Sequence, residues 1–230
     1  MKIQRTLYWF KDGDERRTDL DDKFFADGTL LNRLLNEYYD GKKIKFINLY
    51  FSTERFYLMH NNSPMNSAYC YNGHFKYYGL IDLNEFEKLD VLSQRYFLWT
   101  KAYDYMKAIA KEAKNTALLS ASEAAYNKGL DMKLNPDYRA VVSEVTLHGV
   151  SLMASVWITF TSDAMHSKFT LEKDNEVIFE KEIDRSKIGI EFFLEIYKKI
   201  EVKGDSIIIK GSSAVDYLPL KIPVTKEQVA

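Results

Sequence analysis

The stretch DLNEFEKLDVLSQRYFLWTKAYDYMKAIAKEAKNTALLSASEAAYNKG, Asp82 to Gly129, decides the fold, because it contains no Pro and no Gly before its last residue. Leu89, Leu92, Tyr96, Trp99, Tyr103, Met106, Ile109 and Ala113 recur at intervals of three or four, which places them on one stripe of a helix. Asp82 with Glu85, or Asn84 with Glu87, has the spacing of an N-terminal cap, in which a side-chain oxygen accepts from an unpaired first-turn N–H. Ser120 and Glu123 repeat that spacing, with Leu118 and Leu119 placed to staple it. The spacing therefore predicts a helical hairpin, broken between Asn115 and Leu119 and ending at Gly129. Its apolar stripe needs a surface to lie against, and packing across sheet is the simplest solution, since candidate strands lie on both sides of it in the chain.

Upstream, Ile3 to Phe10 reads as a first strand that ends at Asp12-Gly13-Asp14. An acidic loop follows, and Leu30, Leu31, Leu34, Leu35 and Tyr38 predict a short helix between Gly28 and Gly41. Ile44 to Phe51 is apolar on both faces, as in a central strand, and Phe56 to Met59 is expected to pair beside it after a turn at Ser52 to Glu54. Ala68 to Tyr71 and His74 to Tyr78 flank Asn72-Gly73, the pair that best tolerates positive φ at both positions of a two-residue turn. That turn sets Tyr71 opposite His74, Cys70 opposite Phe75 and Tyr69 opposite Lys76. Cys70 and His74 then point to opposite faces, which counts against a Cys-His nucleophilic pair.

Downstream of Pro136 the pattern turns to strands: Tyr138 to Leu147, Val150 to Thr161, Lys168 to Lys173 and Val177 to Ile183. Short turns at Gly149, Ser162 to Met165 and Asp174-Asn175 make them a meander, with Phe169 and Leu171 facing the core and Lys168, Thr170 and Glu172 facing water. Phe192, Phe193, Ile196, Tyr197 and Ile200 return to helical spacing, and Ile207 to Ile209 reads as a last buried strand. The fold class is thus α+β. A mixed α/β region over 1–135 carries the helical hairpin on sheet, and a β-rich antiparallel meander with one helix covers 136–230.

The 230 residues are 46% hydrophobic and 14% aromatic, ample for a sizeable core. The formal net charge of −1 gives no global reason to expect nucleic acid or an anionic membrane as partner, although local patches still matter. The single cysteine fits a reducing cytoplasm, the start lacks the apolar core of a signal peptide, and no window reaches the length of a membrane span.

Catalytic and cofactor patterns are weak. His60, His74, His148 and His166 share no metal-ligand spacing, and no phosphate-binding glycine loop or Gly-x-Ser-x-Gly elbow occurs, so neither a cofactor nor a metal is expected. Glu144 and His148 fall on one face of a strand, and with His166 they are the residues a dispersed hydrolase site would use. Lys101, Lys107, Lys111 and Lys114 give the long helix a basic side, which Asp104 and Glu112 interrupt, as on a solvated face.

Two features point to a protein partner. Between Asp12 and Asp27 seven acids (Asp12, Asp14, Glu15, Asp19, Asp21, Asp22 and Asp27) stand against three bases. Half of the sixteen tyrosines fall between Tyr38 and Tyr78, and tyrosine offers contact area with a polar tip at little rotamer cost. The resulting expectation is a non-enzymatic protein-binding module, in its sharpest form a bacterial immunity protein that neutralises a basic toxin domain. Asp12, Asp14, Glu15, Asp19, Asp21, Asp22, Tyr69 and Tyr71 would meet that partner. A hydrolase with a dispersed His/Glu site and a structural subunit of an assembly are the alternatives.

Overall fold

The computed structural model describes residues 2–41, 44–60 and 64–229. The chain is α+β and divides into two compact units, Met1–Pro136 and Asp137–Ala230.

In the first unit β1 (Arg5–Asp12) turns at Gly13, φ 57°, into the short β2 (Glu15–Arg16). Then come α1 (Thr18–Lys23), α2 (Phe25–Tyr38), β3 (Phe46–Ser52), α3 (Glu54–Met59), β4 (Ser67–Tyr71) and β5 (His74–Leu80). The helices α4 (Leu83–Glu87), α5 (Val91–Glu112) and α6 (Thr116–Asp131) close the unit. The sheet has the order β2-β1-β3-β5-β4, with β1, β3 and β5 parallel and the two edge strands antiparallel. The strand apolar on both faces is the central one, as expected, and Ile47, Leu49 and Phe51 in it are fully buried. Asn72 and Gly73, φ 48° and 81°, turn the β4–β5 hairpin in the register read from the sequence.

Thr6, Tyr8 and Phe10 of β1, Ile47, Leu49 and Phe51 of β3, and Phe75 and Tyr77 of β5 alternate onto one face, which α2 and α5 cover. Tyr105 of α5 packs its ring 5.2 Å from Phe51 and 4.2 Å from Tyr77. Gly28 lies inside α2, where the helix crosses β1 so closely that a Cβ would approach the Thr6 carbonyl to 2.9 Å. α6 packs on both α2 and α5. Trp99 and Met106 are buried, and Trp99 donates through Nε1 to the Tyr126 carbonyl at 3.1 Å.

Several expectations change. The long stretch holds three helices, because Asp90 starts α5 afresh by accepting from Ser93 N at 3.0 Å after the short α4 capped by Asp82. The buried face of α5 carries Gln94, Leu98, Ala102 and Tyr105 with Trp99, Met106 and Ile109, while Leu89 and Leu92 at its start are exposed. The second start is Asn115, whose side chain accepts from Leu118 N after Lys114 at φ 49°; Ser120 lies within α6, which runs on to Asp131. The helix expected between Gly28 and Gly41 begins earlier, at Phe25, and the acidic segment before it is β2 and α1 rather than a loop. Phe56 to Met59 is helical, since Thr53 caps α3 by accepting from Phe56 N and β5 takes the place beside β3.

The second unit comprises β6 (Tyr138–Leu147), β7 (Val150–Phe160), β8 (Ala164–Lys173) and β9 (Glu176–Lys187), an antiparallel meander in that order. A short 3₁₀ turn, Glu191–Glu195, leads to β10 (Tyr197–Lys203), β11 (Ser206–Gly211) and β12 (Leu220–Pro223), a second antiparallel sheet. The helix expected over Phe192 to Ile200 is therefore this turn and β10, with Ile200 paired to Ile209. β8 begins at Ala164, inside the turn expected at Ser162 to Met165. Its expected wet face is partly dry as well: Thr170 accepts from Trp157 Nε1 at 3.1 Å, and Arg139 pairs with Glu172 at 2.7 Å, so both are buried. No described helix is long and apolar enough to cross a membrane.

Candidate functional site

The residues that alternate with the buried ones in the five-stranded sheet point to its other face, and strand register sets them in rows. Arg5, Phe46, His74 and Tyr71 form one row; Leu7, Asn48, Lys76 and Tyr69 the next; Trp9, Tyr50, Tyr78 and Ser67 a third. Lys11, Ser52 and Leu80 end the face, where Phe56 of α3 lies 4.9 Å from the Lys11 ammonium. Tyr69 and Tyr71 on the edge strand are 49% and 61% exposed, while Trp9, Phe46, Tyr50, Lys76 and Tyr78 are half-buried.

Rings and cations interleave over much of this face, around the buried Asn48 and Ser52. Tyr50 and Tyr78 stack at 5.0 Å with 9° between planes, and the Tyr69 and Tyr71 rings are 6.5 Å apart. The Arg16 guanidinium sits 4.1 Å over Trp9, Arg5 4.9 Å over Phe46, and the Lys76 ammonium 6.0 Å from Tyr69. Such contacts hold each cation beside a ring face without removing its charge. Burial, aided by the neighbouring tyrosine, pushes the Tyr50 and Tyr78 hydroxyls above their ordinary range, so they remain neutral donors. No Asp or Glu alternates onto the face from β1, β3, β4 or β5. Glu15 stands at the β2 edge, and Asp21 has its charge occupied by Arg16 at 2.6 Å and the Phe10 N–H at 2.7 Å. An anionic ligand with flat π surfaces meets complementary groups here; a basic one meets like charge.

The acids expected to meet a partner separate into two sets. Asp21 is buried, and Asp12 accepts from the Thr53 hydroxyl at 2.8 Å. Asp19 is exposed and paired with Arg17, which lowers its pKa and also reaches Glu87. Asp14 is exposed with His60 Nε2 at 3.1 Å, and Glu15 and Asp22 are exposed. Tyr69 and Tyr71 are the expected partner residues that belong to the open sheet face. Trp9, Lys11, Tyr50, Lys76 and Tyr78 were not singled out from the sequence, although bases and aromatics sharing one parity in Arg5-Trp9-Lys11 and His74-Lys76-Tyr78 are the signal for them.

Asp27, in the first turn of α2, is a buried carboxylate with Arg95 Nε at 2.9 Å. Burial raises its pKa to about 6 against the opposing pull of Arg95. The neighbouring Tyr8 hydroxyl is buried without a hydrogen-bond partner and is pushed upward by the same desolvation and by Asp27.

The hydrolase residues are not brought together. His148 lies in the β6–β7 turn with Nε2 2.8 Å from the Val224 carbonyl, whereas His166 is near the other end of β7, beside Thr159, with Nδ1 3.1 Å from Glu182. Glu144 is exposed opposite Met153. Cys70 faces the helix layer, where burial raises its thiol to about 11, while His74 faces the opposite side. Among the described residues no group of three His, Cys, Asp or Glu is placed to hold a metal ion. Comparison of the chain with protein-family models, with curated proteins and with solved structures finds no match.

Proposed function

We propose that the chain is a non-enzymatic binding protein and that the open face of the five-stranded sheet is where its macromolecular partner docks. The observation that carries this reading is the exposure of Tyr69 and Tyr71, 49% and 61%, at the end of rows of rings and cations held on paired strands. Contiguous exposed aromatic surface is characteristic of interaction sites, and strands hold it with little entropy left to lose on binding.

Affinity capture from the native source with the parent chain and with Tyr69→Ala/Tyr71→Ala tests the proposal. A partner retained by the parent and lost by the folded variant supports the face as the docking surface; equal retention rejects it. The toxin-inhibitor form has narrower support, the exposure of Asp14, Glu15, Asp19 and Asp22 on and beside β2 and α1. Reversal of Asp14, Asp19 and Asp22 to Lys tests that form separately, because loss of a basic partner would follow it and leave the tyrosine face untouched.

A further inference from the structure

We infer that the ligand of this face is single-stranded nucleic acid. The inference rests on the reading of the face as a docking surface and adds the chemistry of what docks.

Sign comes first. Arg5, Lys11 and Lys76 alternate onto the face and no carboxylate alternates with them, while Arg16 over Trp9 is already paired with Asp21, so the three alternating cations are what a polyanion would meet despite the chain's net charge of −1.

The rings then narrow the class of anion. An acidic peptide would use the lysines and arginines and leave Tyr69, Tyr71 and the Tyr50–Tyr78 pair without flat partners. Nucleobases offer a π face to each ring whatever their sequence, and phosphates between them meet the interleaved cations. Tyr69 opposes Lys76 in the hairpin register, so that exposed ring has an ammonium beside it, and Tyr71 opposes the His74 imidazole. Geometry excludes the duplex as the preferred form, because its base faces are already stacked and only its backbone would touch the sheet. A face open at the β4 edge, where Tyr69 and Tyr71 are exposed, suits a strand laid across it.

Fluorescence anisotropy with the full chain and labelled oligo(U) and oligo(dT) of about twelve nucleotides, and with a duplex of the same length, tests the inference. Both single strands or one of them should bind, more tightly than duplex, with affinity falling as salt rises. Tyr69→Ala/Tyr71→Ala should weaken binding about tenfold or more, and Lys76→Gln should weaken it and flatten the salt dependence. A thermal melt checks that the variants are folded; if the double variant melts early, Tyr71→Ala alone, at the most exposed ring, should weaken binding about fivefold.

Absence of single-strand binding at low salt, or binding indifferent to both tyrosines and Lys76, overturns the inference. If oligonucleotides fail while capture of a protein, including one docking through an acidic segment, depends on the tyrosines, the docking-surface reading stands and the nucleic-acid assignment falls. If neither depends on them, both fall.

Discussion

The two faces of the five-stranded sheet are made by the same strands and do opposite things. Phe51 is fully buried against Tyr8, Phe10 and Tyr105, while its neighbour Tyr50 points the other way and stacks on Tyr78 beneath no helix of the layer that covers Phe51. One face is closed by α2 and α5; the other ends in rings and cations with Tyr69 and Tyr71 exposed. The lesson is that alternation supplies two surfaces from one strand, and that the face not used for the core is free to be selected for its chemistry.

The largest expected effect would break the comparison outright if it failed. Phe51→Ala should cost about 3 to 5 kcal/mol in chemical denaturation, because it empties a buried ring site that several other rings line. Trp99→Ala belongs with it, since its indole is buried against α6 where Gly129 leaves no room for a Cβ. A small change in either would mean that the covered side is not the core.

Asp27 sharpens the contrast, since charge is costly on the covered side. Its raised carboxyl, about 6 by burial with Arg95 opposing, keeps a proton in the folded state after the unfolded chain has released it at about 3.9. The native state then binds more protons, so this contribution to stability is full below about pH 4 and is lost as pH rises toward 6. Asp27→Asn should remove the dependence, and the stability of the parent relative to this variant should fall by roughly 1 to 3 kcal/mol between those limits. A flat difference would show that Arg95 holds the carboxylate ionised throughout.

On the open face, Tyr69→Ala/Tyr71→Ala should lower stability by less than about 1 kcal/mol, because both rings are substantially exposed. A cost as large as that of Phe51→Ala would make the two faces equivalent and remove the case for a docking surface. The smallest effect should come from reversing Asp14, Asp19 and Asp22 to Lys, within about 0.5 kcal/mol for exposed charges, whereas Asp21→Lys places an ammonium in the buried position that accepts the Phe10 N–H and should destabilise far more. Melts of the two proteins side by side check this pair.

Much of the fold was legible because it follows from local rules. Asn72-Gly73 announced the hairpin and its register, and the doubly apolar run ending at Phe51 announced a central strand. Where the local reading failed, neighbours decided. Phe56 to Met59 reads as a strand, and the Thr53 cap together with β5 filling the place beside β3 makes it helix. Phe192 to Ile200 has helical spacing by coincidence, and pairing with β11 drew its second half into sheet. The spacing puts Tyr103 on the long helix's buried stripe; the nearness of Phe51 and Tyr77 makes Tyr105 the buried ring instead.

The sequence by itself determined the α+β class, the tyrosine-bearing hairpin, the burial of Trp99 and Met106, and the separation of Cys70 from His74. Turn tolerance for positive φ and the periods of helix and strand are properties of a few consecutive residues. Only the tertiary structure decided that Trp9, Tyr50 and Tyr78 share a row, and that Asp21 is buried while Asp14 and Asp22 stay in water. Parallel strands bring together side chains tens of residues apart, and desolvation depends on everything that packs around a group; neither quantity exists until the chain has folded.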